Sequence, residues 1–542
     1  MKTVTVRTKL GVVRGIESKN YKDGIFYSFY GIPYAKPPLG KLRFKAPQPP
    51  IPWKHEFDAT FEKDCCIAPN LYTGEIEGGE DCLHLNIYTR NVSINDSESI
   101  QLKPVIVFIH PGAFTTGNTK TEFYGPDFLM TQDIVLVLIS YRLGILGWSR
   151  LDDSSLGIPG NQGLRDVIMG LKWVNENIEF FCGDPNNVTI FGDSAGAVIA
   201  HNVVLLAQCK NLVHKIIIHS GSALCHWGIG RRDSLKEAAK HLGCTSRVDK
   251  DILEFLQNQP IEKLIQGQLQ AKVGIAASLP RYFYPVIEEP NNIEEPLITE
   301  DPRKVISEGK SLKIPMLIGY NSDEGLFFDY QLKNRLKKDK NNSILPDFET
   351  LVPHPLGFKR GSPESILIAE KTKQFYFNGK SPTIENRKQF YRLYLDNFFG
   401  YVIQDTARRH FKNTNQPIYF FKFAFDGNLN MYKKIQGSDL PGASHSDDLC
   451  YLFKMSKNPP IEKNSVEEKV MTQMIKLWTN FAKSGNPNFF QNDDQFLEWK
   501  PIEKNKLHYL HINDDFTVGV DPDKEAFDFW DSIYNMSPIS KL

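Results

Sequence analysis

Val188-Thr-Ile-Phe-Gly192-Asp193-Ser194-Ala195-Gly196-Ala-Val-Ile-Ala200 reads as a buried strand running through Gly-x-Ser-x-Gly into a helix of small residues. The two glycines allow a sharp strand-to-helix turn that a Cβ would block. Such a turn holds the Ser194 hydroxyl exposed above a sheet, with a helix N-terminus beneath it. Gly-x-Ser-x-Gly is a weak signal alone, because the chain has 38 glycines in 542 residues. The strand before it and the Ala/Val-rich helix after it make a mere glycine-rich turn a poor alternative.

Outward from that turn, β-branched runs alternate with helical patterns, as an α/β fold requires. Strands are expected at 105–110, 134–141, 188–192, 215–220, 315–320 and 417–425. Leu164, Val167, Ile168, Leu171 and Val174 keep one helix face apolar, and Val470, Met474, Leu477, Trp478 and Phe481 keep another. The second helix opens at Ser465 with Glu468 three residues on, a capping box, and closes at Gly485. No repeat is visible, and Lys333–Ser343 reads as a solvated loop. The Pro-rich stretch from Pro47 to Pro52 reads as a surface crossing rather than a linker. A single unit over 1–542 with long insertions is therefore expected.

Composition narrows the class. At 41% hydrophobic, 12% aromatic and 24% charged residues, the chain is not of disordered or fibrous type. Lys+Arg and Asp+Glu are both 64, a formal charge of +0, which offers nucleic acid no electrostatic footprint. Apolar runs such as Val105–Ile109 and Ile134–Ile139 fall far short of the roughly 20 residues of a membrane span. The first residues alternate like a strand and lack the apolar block of a signal peptide. Eight cysteines are too sparse for a disulfide scaffold, so an intracellular, cytoplasmic and mostly reduced protein is expected. The sequons at Asn91, Asn95, Asn187, Asn341 and Asn535 would then meet no glycosyltransferase. Ser540-Lys541-Leu542 has the form of a peroxisomal address, an alternative destination. Neither Cys-x-x-Cys nor His-x-x-x-His occurs, so no metal and no cofactor are expected.

A serine hydroxyl needs a base to take its proton, and the base needs a carboxylate to orient it. With Gly31-Ile-Pro-Tyr-Ala35, Glu80-Asp-Cys-Leu-His-Leu-Asn86 and Phe481-Ala-Lys-Ser-Gly-Asn-Pro487, the chain resembles type-B carboxylesterases. These are cholinesterase-like α/β-hydrolases, and the likeness is strongest to the intracellular α-esterases of insects. The resemblance spans nearly the whole chain and implies a large, mostly parallel sheet flanked by helices, with long insertions. It implies Glu324, in Gly319-Tyr-Asn-Ser-Asp-Glu324-Gly325, as the acid and His445, in Gly442-Ala-Ser-His445, as the base. The order Ser, acid, His is the one expected of this fold. Read as residues alone, Glu324 is a loop carboxylate with Asp323 beside it as rival, and His445 is one of 13 histidines.

The resemblance also implies an oxyanion hole from the N–H groups of Gly112, Ala113 and Ala195. Pro111 and Ala113, in His110-Pro111-Gly112-Ala113-Phe114, stand where the family has glycine. Pro111 removes an N–H that is not a family donor. Ala113 keeps its N–H and adds a methyl that narrows the hole against bulky acyl groups. Ser220 resembles a supporting group near the histidine. Asp193 places a carboxylate beside the nucleophile, either tuning the site or simply partnered. Phe327 and Phe328 read equally as acyl-pocket lining and as core. Arg43 with Glu80 and Arg142 with Asp166 resemble structural ion pairs of the family. Cys82 with Cys66 or Cys65 matches its first disulfide, whereas Cys244 has no downstream partner.

The function implied is a serine carboxylesterase taking small uncharged esters of xenobiotic or lipid origin, and trapped by organophosphates. Choline specificity is disfavoured, because the loop Pro69–Glu77 has Tyr72 but no Trp to face a quaternary ammonium. A juvenile hormone esterase usually carries Gln where Asp193 stands. A non-catalytic binding relative usually lacks a member of the triad, and this chain has all three. Specificity is expected in loops at about 60–80 and 260–410.

Overall fold

The computed structural model describes residues 2–70, 73–92, 101–271, 277–289, 295–329, 332–333, 347–488 and 497–541. Tyr72, the sequons at Asn95 and Asn341, Leu542 and nearly all of Lys333–Ser343 lie outside the described residues.

One large sheet is built from β1 (Thr3–Thr8), β2 (Gly11–Lys19), β3 (Ile25–Pro33), β4 (His84–Thr89), β5 (Lys103–Ile109), β6 (Val135–Ile139), β7 (Gly183–Asp193), β8 (Lys215–His219), β9 (Met316–Asn321), β10 (Ile418–Phe423), β11 (His508–Ile512) and β12 (Phe516–Val520). Their spatial order is β1-β2-β3-β4-β6-β5-β7-β8-β9-β10-β11-β12. From β6 to β11 every neighbouring pair is parallel, whereas the strands on either flank pair antiparallel. This is the mostly parallel α/β sheet that the sequence implies.

The central strands are apolar on both faces because helices cover both. In β5, Val105, Val107 and Ile109 enter one core, while Ile106 and Phe108 enter the other. In β6, Val135, Val137 and Ile139 separate in the same way from Leu136 and Leu138. This is period-two alternation between two apolar environments, so it appears in sequence as an unbroken run. Helices α1 (Gln162–Asn177) and α2 (Ala195–Leu205) close the first core with Leu164, Leu171 and Val198. Helix α3 (Tyr401–Phe411) adds Val402 and Ile403. Helix α4 (Val466–Ser484) closes the second core with Val470, Met474, Trp478 and Phe481.

The ends of α4 follow their sequence signals, with one change. Ser465 Oγ accepts the Glu468 N–H, and Gly485 ends the helix at φ +79°. The Glu468 carboxylate reaches back one residue further than a capping box requires, to the Asn464 N–H at 2.7 Å, and takes the Tyr21 hydroxyl. The cap thereby also ties α4 to the amino-terminal strands.

Two ion pairs fasten the connections. Arg142 meets Asp166 through two N–H···O bonds of 2.8 and 2.7 Å, at 2% and 0% exposure. Arg43 grips Glu80 at 2.6 and 2.5 Å and also donates to the Gln257 and Gln259 carbonyls. The chain carries a Cys66–Cys82 disulfide, while Cys65, Cys209, Cys225, Cys244 and Cys450 are free. Among the described residues no helix is long and apolar enough to cross a membrane.

Removing one partner of a buried pair leaves the other charge uncompensated. Asp166→Ala is therefore expected to cost about 3–5 kcal/mol, read as a lowered denaturation midpoint in urea.

Candidate active site

At the carboxyl end of β7 the chain turns into α2 through Ser194, whose φ of +55° and ψ of −120° are costly for any L-residue. Close packing enforces the turn. A Cβ on Gly192 would lie 2.2 Å from the Gly196 carbonyl oxygen, and one on Gly196 would lie 2.0 Å from that of Ile109. Both glycines are thus fixed by contact. The Ser194 N–H is held by the His219 carbonyl at 2.9 Å, and Val198 N–H returns to the Ser194 carbonyl at 3.1 Å.

Register aligns the other two chain segments. Gly192 pairs with Ile218, His219 with Gly319, and Asn321 with Phe423, so β7, β8, β9 and β10 end side by side. From these ends Ser194, Glu324 and His445 converge. His445 Nε2 lies 2.8 Å from Ser194 Oγ, and His445 Nδ1 lies 2.5 Å from Glu324 Oε2. The other Glu324 oxygen accepts the Asn321 N–H at 2.8 Å and the Ser220 hydroxyl at 2.5 Å. Ser220 thus supports the carboxylate rather than touching the ring. Asp323 turns away and accepts from Ser322 Oγ, which excludes it from the line of contacts.

Glu324 is fully buried, while Ser194 and His445 keep 7% and 6% exposure. Burial by itself lowers the His445 imidazolium. The charge and hydrogen bond of Glu324 outweigh it, with smaller help from Asp193 and Asp448, and carry the ring from the usual 6.5 to about 9. A base raised this way by a buried carboxylate is a mark of reactive centres.

The loop from His110 to Phe114 is held rigidly beside the serine. His110 stacks on Tyr141 at 4.4 Å, and the Tyr141 hydroxyl donates to the His110 carbonyl. Gly112 is at φ +131°, where a Cβ would fall 1.9 Å from the Thr116 carbonyl oxygen. Ala113 and Phe114 follow at +50° and +61°, strained for residues with a Cβ. The Ala113 side chain is exposed to the cavity. Ala195 is the first residue of α2, where an N–H has no intrahelical acceptor.

Ser194 and His445 open into a cavity of about 550 Å³ whose wall is largely aromatic. Phe327 and Phe328 both line it, and the Phe327 ring meets the His445 ring edge-on at 5.4 Å. Phe399 packs on the other side of that imidazole at 4.9 Å. Phe398, Phe399 and Trp227 also line the wall, as does Cys65 beside the disulfide. Asp193 is fully buried and accepts the Ser446 hydroxyl at 2.5 Å.

The family model for the carboxylesterase family matches residues 2–530. This chain belongs to the carboxylesterase family. It is 34% identical to a juvenile hormone esterase of Tribolium castaneum, over 96% of this chain and 90% of that one. It is 30% identical to esterase B1 of Culex pipiens, over 98% of each. Its backbone is similar to the crystal structure of juvenile hormone esterase from Manduca sexta with OTFP covalently attached. The TM-score is 0.85 at 30% identity, covering 98% of this chain and 100% of that one. The carboxylesterase is an α/β-hydrolase and a carboxylic ester hydrolase.

Two features of the esterase escape a reading of its sequence. Phe398 and Phe399 sit on a π-helical turn, Leu395–Gly400, between helical segments. A π-turn breaks the 3.6-residue spacing by which a helix face is recognised, and such turns gather at functional sites. His219 and Asp448 are the other omission. Nothing in their spacing shows that His219, at the end of β8, and Asp448, on the turn Asp447–Tyr451, meet beside Asp193.

Gly196→Ala forces a methyl onto the Ile109 carbonyl. We expect a loss on the order of 3 kcal/mol in denaturant unfolding, together with loss of ester hydrolysis.

Proposed function

We propose that this carboxylesterase is a serine esterase acting on small, uncharged, apolar esters through an acyl-enzyme. The observation that carries the reading is the continuous contact from Ser194 through His445 to Glu324 at an aromatic-walled cavity. Ser194 Oγ attacks the ester carbonyl and His445 Nε2 accepts its proton. Glu324 holds the ring with its proton on Nδ1 and stabilises the imidazolium. The N–H groups of Gly112, Ala113 and Ala195 bind the oxyanion, each contributing roughly 3 kcal/mol. The alcohol leaves with the proton from His445, and water repeats the sequence on the acyl-enzyme. An organophosphate enters by the same first step and leaves a phosphorylated Ser194, so stoichiometric sequestration accompanies turnover. The free thiols of Cys65, Cys209, Cys225, Cys244 and Cys450 support an intracellular setting in which Cys66–Cys82 is the exception.

A second reading, hydrolysis of juvenile hormone, is supported by the relatives of that name. Against it stands Asp193 in place of the usual Gln of that group.

Hydrolysis of p-nitrophenyl esters from acetate upward decides the reading. Ser194→Ala is expected to lower kcat on the order of 10⁶-fold while the protein stays folded. Equal turnover by the variant would sink it. Rates should decline at longer acyl chains, and Ala113→Gly should move the decline to longer ones.

A pH series tests the acid. Two donors already occupy Glu324 Oε1, so the amide oxygen of Glu324→Gln takes that place and its NH₂ faces His445 Nδ1. The ring is then held in the wrong tautomer, and kcat/KM should fall by about 10⁴-fold. Activity needs neutral His445, so kcat/KM rises with pH through its pKa. Without the Glu324 charge, burial is opposed only by the smaller pull of Asp193 and Asp448, and this limb moves to lower pH.

A further inference from the structure

Beneath the nucleophile, Asp193, His219 and Asp448 are each 0% exposed, and one polar atom of each lies within 4.8 Å of the others. Three facts fix the protons there. The Trp478 indole N–H, which can only donate, lies 2.7 Å from His219 Nε2, so that nitrogen is an acceptor and the ring is neutral. The His219 proton is therefore on Nδ1, which faces Asp448 Oδ2 at 2.5 Å. The other Asp448 oxygen takes the Asn321 amide at 3.0 Å. With both ring nitrogens engaged, the cluster is an arrangement of hydrogen bonds and not a metal cradle.

The two carboxyls are supplied very unequally. Asp448 takes the Asn321 amide at Oδ1, and its Oδ2 lies 2.5 Å from His219 Nδ1, in close contact but out of line for a hydrogen bond. Asp193 has the Ser446 hydroxyl at Oδ2, while its Oδ1 is buried without a partner. A buried carboxylate with an orphaned oxygen is costly, and two adjacent carboxylates cannot both ionise cheaply.

Resting on the serine-esterase reading, we propose that Asp193 and Asp448 carry one negative charge between them. His219 is the positioning residue that fixes this charge on Asp448, leaving Asp193 a neutral acid beside the nucleophile. The consequence is electrostatic. Charge on Asp193, adjacent to Ser194, would oppose the oxyanion as it forms. Charge on Asp448, which does not adjoin Ser194 in the chain, still favours the His445 imidazolium. Burial and the neighbouring Asp448 push the Asp193 carboxyl well above its ordinary range, with His445 and Ser446 opposing. Burial also acts upward on Asp448, where the side chains of His219 and Asn321 oppose it. The other titratable groups facing the pair are His445, Glu324, Asp447, Tyr432 and Cys450, and Lys433 stands against Asp447.

The test compares near-isosteric variants of the full chain, after denaturation midpoints show that each is folded. In the pH profile of kcat/KM, Asp448→Asn should lower the His445 limb by about one unit, and Asp193→Asn by distinctly less. His219→Ala should move the limb toward that of Asp448→Asn, and His219→Gln, which keeps a donor, should restore most of it. Infrared spectra near pH 7 give a readout independent of turnover. The protonated-carboxyl C=O band should lose a component in Asp193→Asn, with Asp447 contributing its own component to every variant. A protonated-carboxyl band unchanged in Asp193→Asn, or a limb moved as far by Asp193→Asn as by Asp448→Asn, would overturn the assignment. Failure of the serine-esterase reading would appear separately, as undiminished turnover in Ser194→Ala.

Discussion

The contact between Gly196 and the end of β5 governs more of this molecule than its size suggests. Because the α2 backbone lies against the Ile109 carbonyl, the chain leaving β7 must reverse within Gly192–Gly196. Ser194 then occupies a backbone region that L-residues avoid. The surrounding sheet supplies the stabilisation that holds it there. Ile190 and Val188 are fully buried, and α2 is buried along its whole length. Strain at Ser194 is thus maintained by packing on both sides of the turn, and the direction of its hydroxyl is set by the fold.

From that fixed point the reactive groups are placed by strand register, which is among the stiffest features a fold offers. Ser194, Glu324 and His445 follow three different strands, and Ser220 follows the one between the first two. Parallel pairing brings all these ends to one rim. Glu324 is further held by the Asn321 N–H and Ser220, so each group that acts on His445 is itself held by another.

Most of this was legible in the sequence for identifiable reasons. Parallel strands covered on both faces leave unbroken apolar runs, and all six expected strands are present within a few residues. β7 begins earlier than expected, at Gly183, because a register irregularity between Gly183 and Val188 joins a polar stretch to the apolar one. The amphipathic face of α4 and its caps were readable because local chemistry decides them. Glu324 and not Asp323 was readable only through motif resemblance, since two adjacent acidic residues differ in nothing that spacing reveals. The π-turn carrying Phe398 and Phe399, and the pairing of His219 with Asp448, were not legible. Both depend on contacts between segments far apart in the chain.

The sheet also separates two evolutionary pressures. The strand ends fix Ser194 and the contacts around it, whereas the cavity wall is drawn from connections between strands, with Trp227 and Tyr284 between β8 and β9 and Phe398 and Phe399 between β9 and β10. An insertion there adds only a slowly growing closure entropy and leaves the strand pairing untouched. Exchange of such connections between relatives that share these strands can therefore alter which molecules enter while leaving the strand-end geometry intact.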